Sequence, residues 1–343
     1  MKKVIDLNFA CSFLSVVFFL NFVIFRFSNA YESLEGFNID EKYLTSFHKS
    51  LKNSCNNNNL NKIRQHSSYP KFGSIEGWKK ICEETKKLKK INTIFFYQNF
   101  HVGSLSEKRG LLTGYYEPEI NVSKKKTSIF KIPILKYDSY YKNKERKNIN
   151  KSFKNEHVLL WTDSLVELFF LQIQGSGMGV FKDNTRIKIN YANNNNLEYK
   201  SIGKLLYQKK LITGDINLFS IKDYFVKNPT KIKEILNYNK RYIFFELSEK
   251  VSAQSKGAFG LELNSFSSVA VDKNYYPLGI PLLLKTSLKK SLPVVVMDRG
   301  SAIMGVNRAD LFTGRGFKAE KVAGKLKEKL IIYTLIPKKQ NDK

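Results

Sequence analysis

Short apolar runs separated by glycine and proline dominate the C-terminal third of the chain. Beyond Lys256 these runs lack helical spacing and have the length of strands. They lie at residues 266–271, 282–285, 294–297 and 331–335. Short strands joined by glycine-rich loops favour a small closed barrel over an open sheet.

One aromatic strand lies much earlier in the chain and is isolated from this block. Residues 111–116 have the pattern of a strand, and Pro118 ends it because proline cannot continue a sheet ladder. A basic, weakly apolar stretch follows at residues 124–154. The strand pattern of the C-terminal third resumes only after Lys256.

The region between these two parts mixes helices and strands. Ser164 followed by Glu167 forms a capping box that predicts a helix, and a second helix opens at Ser201. Ser220 and Asp223 predict a third helix start of the same kind. We therefore expect an α+β unit between the isolated strand and the barrel strands.

The N-terminus has the features of an export signal. Two lysines precede an apolar stretch at residues 9–25, and small side chains follow at Ser28 and Ala30, which predicts cleavage after Ala30. An uncleaved membrane anchor is the alternative, and it would keep the protein at the membrane. Either segment exports the rest of the chain, where Cys55 and Cys82 permit one disulfide without requiring it.

Charge and composition exclude several classes of protein. The net charge is +28, but the lysines are spread along the chain among asparagines, whereas a nucleic-acid surface needs clustered basic stripes. We therefore expect no nucleic-acid partner. The four histidines are scattered and no Cys/His cluster has metal-ligand spacing, so we predict no metal and no cofactor.

Three aspartates near the C-terminus are the strongest candidates for chemistry. Asp298 directly follows an apolar strand, Asp310 lies twelve residues later, and Asp272 ends an earlier apolar run. Carboxylates embedded in apolar segments are costly to bury unless they have partners or a task. Their placement predicts a site.

Five motifs in order give the chain a resemblance to the membrane-bound lytic murein transglycosylase A family, whose last segment is called the 3D domain after three aspartates. They are LTGYYEP at 112–118, FFLQIQGSG at 169–177, YKSIGKLL at 199–206, AVDK to PLG at 270–279, and the segment from Asp298 to Asp310. Arg299 and Met304 depart from the family pattern without removing a carboxylate.

The resemblance implies a mainly β fold with a double-psi β-barrel made from two chain segments. Carried onto this chain, the barrel takes residues 108–122 and 255–337, and a family-specific α+β or barrel-like insert takes 123–254. The isolated aromatic strand agrees with that division. Residues 1–30 are then the signal or anchor, and 31–107 a partly helical lead-in.

The resemblance also implies a reaction and its residues. Such enzymes cleave the β-1,4 bond between N-acetylmuramic acid and N-acetylglucosamine without water, leaving a 1,6-anhydro end. A single carboxyl group suffices as acid and then base, and the family match assigns this role to Asp310. We expect Asp298 and Asp272 to support it, or alternatively to cap the amides of tight turns.

Side chains in the upstream motifs are candidates for contacts with the glycan. Aromatic faces stack on sugar rings, while carboxylate, amide and hydroxyl groups bind sugar hydroxyls and N-acetyl groups. Purely structural roles are the alternative for each. The candidates are Tyr115, Tyr116, Glu117, Gln172, Gln174, Ser176 and Ser201.

Two other functions remain open from the sequence. A double-psi barrel can bind glycan without turnover, because fold alone does not determine function. A hydrolase could instead use a second carboxylate, Asp298 or Glu117, to activate water. The resemblance implies peptidoglycan strands as partner, other cell-wall enzymes as further partners, and a periplasmic, membrane-associated location in a Gram-negative bacterium.

Overall fold

The computed structural model describes residues 33–55, 57–67, 71–249, 255–287, 290–300 and 302–339. The expected signal or anchor at residues 1–30 lies outside these residues. None of the described helices combines the length and the apolar character needed to cross a membrane.

Helices and strands alternate along the described part of the chain. The helices are α1 (Leu44–Ser54), α2 (Asn57–Arg64), α3 (Ile75–Lys87), α4 (Thr93–Asn99), α5 (Arg146–Lys151), α6 (Leu165–Gln174), α7 (Ile202–Gln208), α8 (Leu218–Lys227), α9 (Ile232–Tyr238) and α10 (Gly316–Lys325). The strands are β1 (Phe100–Ser104), β2 (Gly110–Glu117), β3 (Glu119–Ser123), β4 (Ile132–Leu135), β5 (Val158–Thr162), β6 (Gly177–Val180), β7 (Arg186–Asn194), β8 (Ile243–Ser248), β9 (Ser268–Val271), β10 (Pro281–Lys285), β11 (Leu292–Asp298), β12 (Arg308–Arg315) and β13 (Lys327–Pro337).

The first sheet closes on itself as a ring of six strands. Its order is β2, β12, β9, β11, β10 and β13, and β13 pairs with β2 to complete the ring. The pairs β2–β12 and β9–β11 are parallel, and the other four pairs are antiparallel. Strand β1 extends the sheet outside the ring, along β13. We call this unit the barrel.

A second sheet is formed by the strands between β2 and β9. Its order is β4, β5, β3, β6, β7 and β8. Apolar side chains of α6 pack on one side against this sheet and on the other against α7, α8 and α9. We call this sheet with its helices the second unit. The prediction of a mainly β fold with helices is confirmed.

Strand β3 differs from the sequence-based expectation. All of it except Ser123 falls in the range 108–122 expected for the barrel, but it pairs with β5 and β6 of the second sheet. Pro118, between β2 and β3, has its carbonyl bound by the amide of Met178, which draws the chain onto β6 at once. The chain therefore leaves the barrel at Glu117.

The N-terminal helices pack on the barrel and share its core. Phe47 of α1, Trp78 of α3 and Phe96 of α4 are fully buried with barrel side chains. A disulfide joins Cys55, at the end of α1, to Cys82 of α3. The predicted lead-in is therefore an integral layer, since burial of large aromatic groups is the main source of packing energy.

Side-chain caps begin several helices as the sequence suggested, with one exception. Ser164 accepts a hydrogen bond from the amide of Glu167, and Ser201 accepts one from the amide of Lys204. The predicted cap at Ser220 is wrong. Asn217 caps this helix and Ser220 is the other half of its capping box, because the two side chains bind each other's backbone amides.

Candidate active site

The site is built on the parallel pair β2 and β12. Thr113 lies opposite Asp310 in register, and Tyr115 lies opposite Phe312. Side chains two residues apart share one face of a strand, so these four side chains share one face of the barrel wall. The hydroxyl of Thr113 donates a hydrogen bond of 2.6 Å to Oδ1 of Asp310.

The environment of Asp310 raises the pKa of its carboxyl. Desolvation by burial raises its pKa from 3.8 to about 6, and the negative charge of Asp298 acts in the same direction. The Thr113 hydrogen bond and the positive charge of Arg308 oppose this rise. The Asp310 residue as a whole is half-buried.

Asp298 ends β11 and is held by three donors. Its Oδ1 accepts hydrogen bonds from the amides of Ala258 at 2.7 Å and Arg299 at 2.8 Å, and its Oδ2 accepts one from the hydroxyl of Tyr115 at 3.0 Å. Burial raises the pKa of Asp298, while these hydrogen bonds limit the rise. Burial, followed by the charge of Asp298, raises the pKa of Tyr115 well above its usual range.

Asp272 lies just after β9 and organises two turns. Its Oδ1 accepts a hydrogen bond from the amide of Asn274 at 3.0 Å, and its Oδ2 accepts one from the amide of Gly305 at 2.8 Å. Gly305 has φ +113°, a conformation that favours glycine. This is the geometry of a carboxylate that caps turns, the alternative left open for Asp272.

A cavity of about 400 Å³ lies between the barrel and the second unit. Thr113 and Tyr116 line it from β2, while Gln174 and Ser201 line it from α6 and the start of α7. Oε1 of Gln174 accepts a hydrogen bond from the amide of Tyr116 at 3.1 Å, which joins the two walls. Thr113, which lines the cavity, also binds Asp310, while Asp310 itself is not among the residues that line it.

Two of the predicted glycan contacts are buried and paired within the fold. Glu117 is 2% exposed and forms ion pairs with Lys188 and Arg315. Gln172 is 3% exposed; its Oε1 accepts a hydrogen bond from Arg146, and its Nε2 donates one to the carbonyl of Ile243. Both groups are committed to partners inside the fold, so neither is available to a sugar.

Ser176 has a different position from the other candidates. It lies half-exposed in the turn between α6 and β6, after Gly175, and outside the residues that line the cavity. Within the described ranges, no group of three or more His, Cys, Asp or Glu side chains is arranged to hold a metal ion.

Known protein families match both halves of this architecture. Residues 137–246 match the MltA specific insert domain, and residues 267–336 match the 3D domain. A membrane-bound lytic murein transglycosylase A homolog from Buchnera aphidicola subsp. Schizaphis graminum is 32% identical over 271 residues, which cover 74% of this chain and 72% of the relative. The chain belongs to the membrane-bound lytic murein transglycosylase A family. The resemblance inferred from the motifs is confirmed, and with it the assignment to an enzyme family.

Other members of the family agree in sequence and in fold. The Vibrio cholerae enzyme is 31% identical, with 64% of each chain covered. The crystal structure of E. coli MltA with bound chitohexaose superposes with a TM-score of 0.71 at 22% identity, covering 87% of this chain and 90% of that one. The Agrobacterium tumefaciens enzyme gives a TM-score of 0.70 at 22% identity, covering 88% and 97%. At these identities the two structures show the shared fold.

Two polar residues of this family member were missed by reasoning from sequence. Thr113 binds the central carboxyl and Lys188 pairs with Glu117, yet neither was a candidate. Thr113 had a usable signal, because it lies two residues before Tyr115 and therefore on the same face of the strand. Lys188 had none, since it is one of many lysines in a basic chain.

Proposed function

We propose that the protein is a peptidoglycan lytic transglycosylase that cleaves the β-1,4 bond between N-acetylmuramic acid and N-acetylglucosamine and leaves a 1,6-anhydro end. The observation that carries the proposal is Asp310. Its pKa is raised to about 6, and its hydrogen-bond partner Thr113 lines the cavity between the two units. A general acid needs a raised pKa of this kind.

In this proposal Asp310 acts twice. Its protonated carboxyl first gives a proton to the glycosidic oxygen as the bond to the leaving sugar breaks. The carboxylate that results accepts the hydrogen bond of Thr113 and lies within the field of Arg308, and both interactions favour the charged form. It then takes the proton of the 6-hydroxyl as that oxygen closes on the anomeric carbon, so the carboxyl is regenerated.

The contacts of the neighbouring carboxylates, Asp298 and Glu117, favour this reaction over hydrolysis. A hydrolase needs a second carboxylate that is free to activate water or to attack the sugar. Asp298 already accepts three hydrogen bonds, and Glu117 is buried between two cations. We therefore propose that Asp298 supports Asp310 through its charge and that Asp272 holds the adjoining turns.

We propose that the glycan lies along the cavity between the barrel and the second unit. Tyr116 lines it from the barrel side, and Gln174 and Ser201 from the other, while Tyr115 and Ser176 are proposed as contacts beyond the cavity lining. The structure of E. coli MltA holds chitohexaose, a glycan, which supports a sugar strand as ligand. Peptidoglycan strands are accordingly the proposed partner, and other cell-wall enzymes are proposed as further partners.

We propose that the barrel is of the double-psi type and forms the catalytic domain. Its two parallel pairs, β2–β12 and β9–β11, each contain a register shift within a closed ring of six strands. The catalytic domain then takes the strands at 108–117 and 255–337, and the second unit is the insert. The family's membrane-bound members and the N-terminal sequence support a periplasmic, membrane-associated location.

Digestion of purified sacculi tests the proposed reaction. The soluble products are weighed by mass spectrometry, and we expect muropeptides that end in 1,6-anhydro-N-acetylmuramic acid. Products heavier by one water would identify a hydrolase instead. Binding to sacculi without any soluble product would identify a glycan-binding protein.

A further inference from the structure

The chain passes between the barrel and the second unit twice. It leaves the barrel at Glu117, the last residue of β2, and enters the second sheet at Glu119, the first residue of β3. It returns after β8 and reaches β9, with Ser255 lying on this returning segment. Any change in the relative orientation of the barrel and the second unit must bend the chain near these two passages.

Lys188 of β7 contacts both passages with one ammonium group. Its Nζ forms an ion pair with the carboxylate of Glu117 and donates a hydrogen bond of 3.1 Å to Oγ of Ser255. The side chains of Lys188 and Glu117 are each 2% exposed. A lysine this buried keeps its contacts, because no water is available to solvate its charge if a partner is lost.

Glu117 connects this ion pair to the site. Its other carboxylate oxygen binds Nε of Arg315, at the end of β12, and Arg315 lies opposite Glu117 in register. Thr113 and Tyr115, which hold Asp310 and Asp298, precede Glu117 on the same face of β2. Strands β2 and β12, which carry Thr113 and Asp310, are thus joined to β7 through Glu117.

We propose that Lys188 is a positioning residue, which fixes the second unit on the barrel at both chain passages and thereby sets the distance from the cavity wall to Asp310. This inference rests on the proposed function. Lys188 is part of β7 in the second sheet. Its effect on a glycan therefore acts through the placement of the second unit.

Three variants and a control test the proposal with soluble glycan strands as substrate. Lys188→Met and Glu117→Gln each remove one charge of the ion pair. The double variant removes both of these charges together. Lys240→Met is the control, because it breaks an ion pair with Glu145 that lies within the second unit. KM, kcat, the midpoint of thermal unfolding and small-angle X-ray scattering are measured for each protein.

We expect Lys188→Met to raise KM by about tenfold to a hundredfold, the effect of an error on the order of 1 Å in placement. The pH profile of kcat should stay unchanged, because Asp310 keeps its partners. The double variant should recover part of the unfolding midpoint lost by Lys188→Met, because it still removes the ion pair of Glu117 with Arg315, yet it should keep the raised KM. Scattering should show a wider distribution of distances for Lys188→Met than for wild type or Lys240→Met.

Two results would overturn the proposal. One is a wild-type KM and scattering profile in Lys188→Met, and the other is a double variant that recovers KM together with stability, which would make the ion pair purely structural. If wild type releases no anhydro product, the proposed function fails, and the scattering comparison alone then decides whether Lys188 positions the units. If Lys188→Met does not fold, the double variant supplies the same comparison.

Discussion

Thr113 and Asp310 lie opposite each other on parallel strands, and the threonine hydroxyl donates a hydrogen bond of 2.6 Å to the carboxylate. This bond stabilises the charged form and so lowers the pKa of Asp310 against the larger effect of burial. Thr113→Val should therefore raise that pKa, and the alkaline limb of the pH–kcat/KM profile should move upward, by about one unit or less.

Thr113→Val should also slow turnover by about tenfold, because a hydrogen bond to a charged group stabilises it by roughly 1.5 kcal/mol or more. Initial rates of release of soluble muropeptides across pH 4 to 9 supply the measurement. Thr113→Ser keeps the hydroxyl and should resemble wild type. An unshifted profile in the valine variant would show that the hydroxyl does not control the acid.

Asp310→Asn should abolish turnover while the fold persists. The amide keeps the shape of the carboxyl but cannot give or take a proton, so we expect a loss of at least about 10²-fold to 10⁴-fold, the usual contribution of a general acid. Release of anhydro products and the circular dichroism spectrum are measured together. Asp272→Asn is a matched substitution at a carboxyl outside the proposed proton path, and it should retain activity.

The free energy of unfolding should depend on pH through the carboxyl of Asp310. The folded-state pKa of Asp310 is raised from 3.8 to about 6, so its stabilising contribution is complete below about pH 4 and is lost as pH rises through 6. Relative to Asp310→Asn, the free energy of unfolding of wild type should fall between pH 4 and 7. The change should be less than about 3 kcal/mol, the upper limit for a pKa shift from 3.8 to about 6.

Urea unfolding of both proteins at several pH values measures this difference. The asparagine variant has no titration at position 310, so groups that do not interact with Asp310 cancel in the comparison. A difference that is constant with pH would mean that Asp310 titrates near its ordinary value, and it would remove the main physical support for its role as acid.

Much of the barrel was predictable because its strands carry local signals. Short apolar runs predicted β9, β10, β11 and β13, and the aromatic run of β2 marked it as a strand, whereas β12 was not predicted. The sheet membership of β3 was not predictable, since pairing with β5 and β6 is decided by contacts that no local pattern records. The start of α8 was missed because Asn217 and Ser220 are both good caps, three residues apart.

Site residues were predictable where residue type and strand alternation both indicated them. They were not predictable where burial by side chains distant in sequence determines their contacts. Asp310 and Tyr115 were selected for their types and positions, and the structure places both on one face of the barrel wall. Glu117 looked like a sugar ligand at the end of an aromatic strand, but a lysine from another sheet buries it. Gln172, another predicted sugar ligand, accepts a hydrogen bond from Arg146 at the start of a distant helix.

Asp272 should prove to be a residue for stability first. Its carboxylate is 6% exposed and accepts hydrogen bonds from the amides of Asn274 and Gly305. Asp272→Ala leaves both amides without this acceptor, and we expect a loss of about 2 to 4 kcal/mol in the free energy of unfolding. Urea unfolding measures the loss.

Asp272→Asn separates the acceptor from the charge at this position. Its amide oxygen can accept from only one of the two amides at a time in the present geometry, so stability should fall by less than in the alanine variant. If the aspartate acts mainly by its charge on Asp310, the asparagine variant would instead keep its stability and shift the pH profile of kcat. The order of unfolding midpoints, wild type above Asp272→Asn above Asp272→Ala, with an unshifted pH profile, is the result that identifies a turn cap.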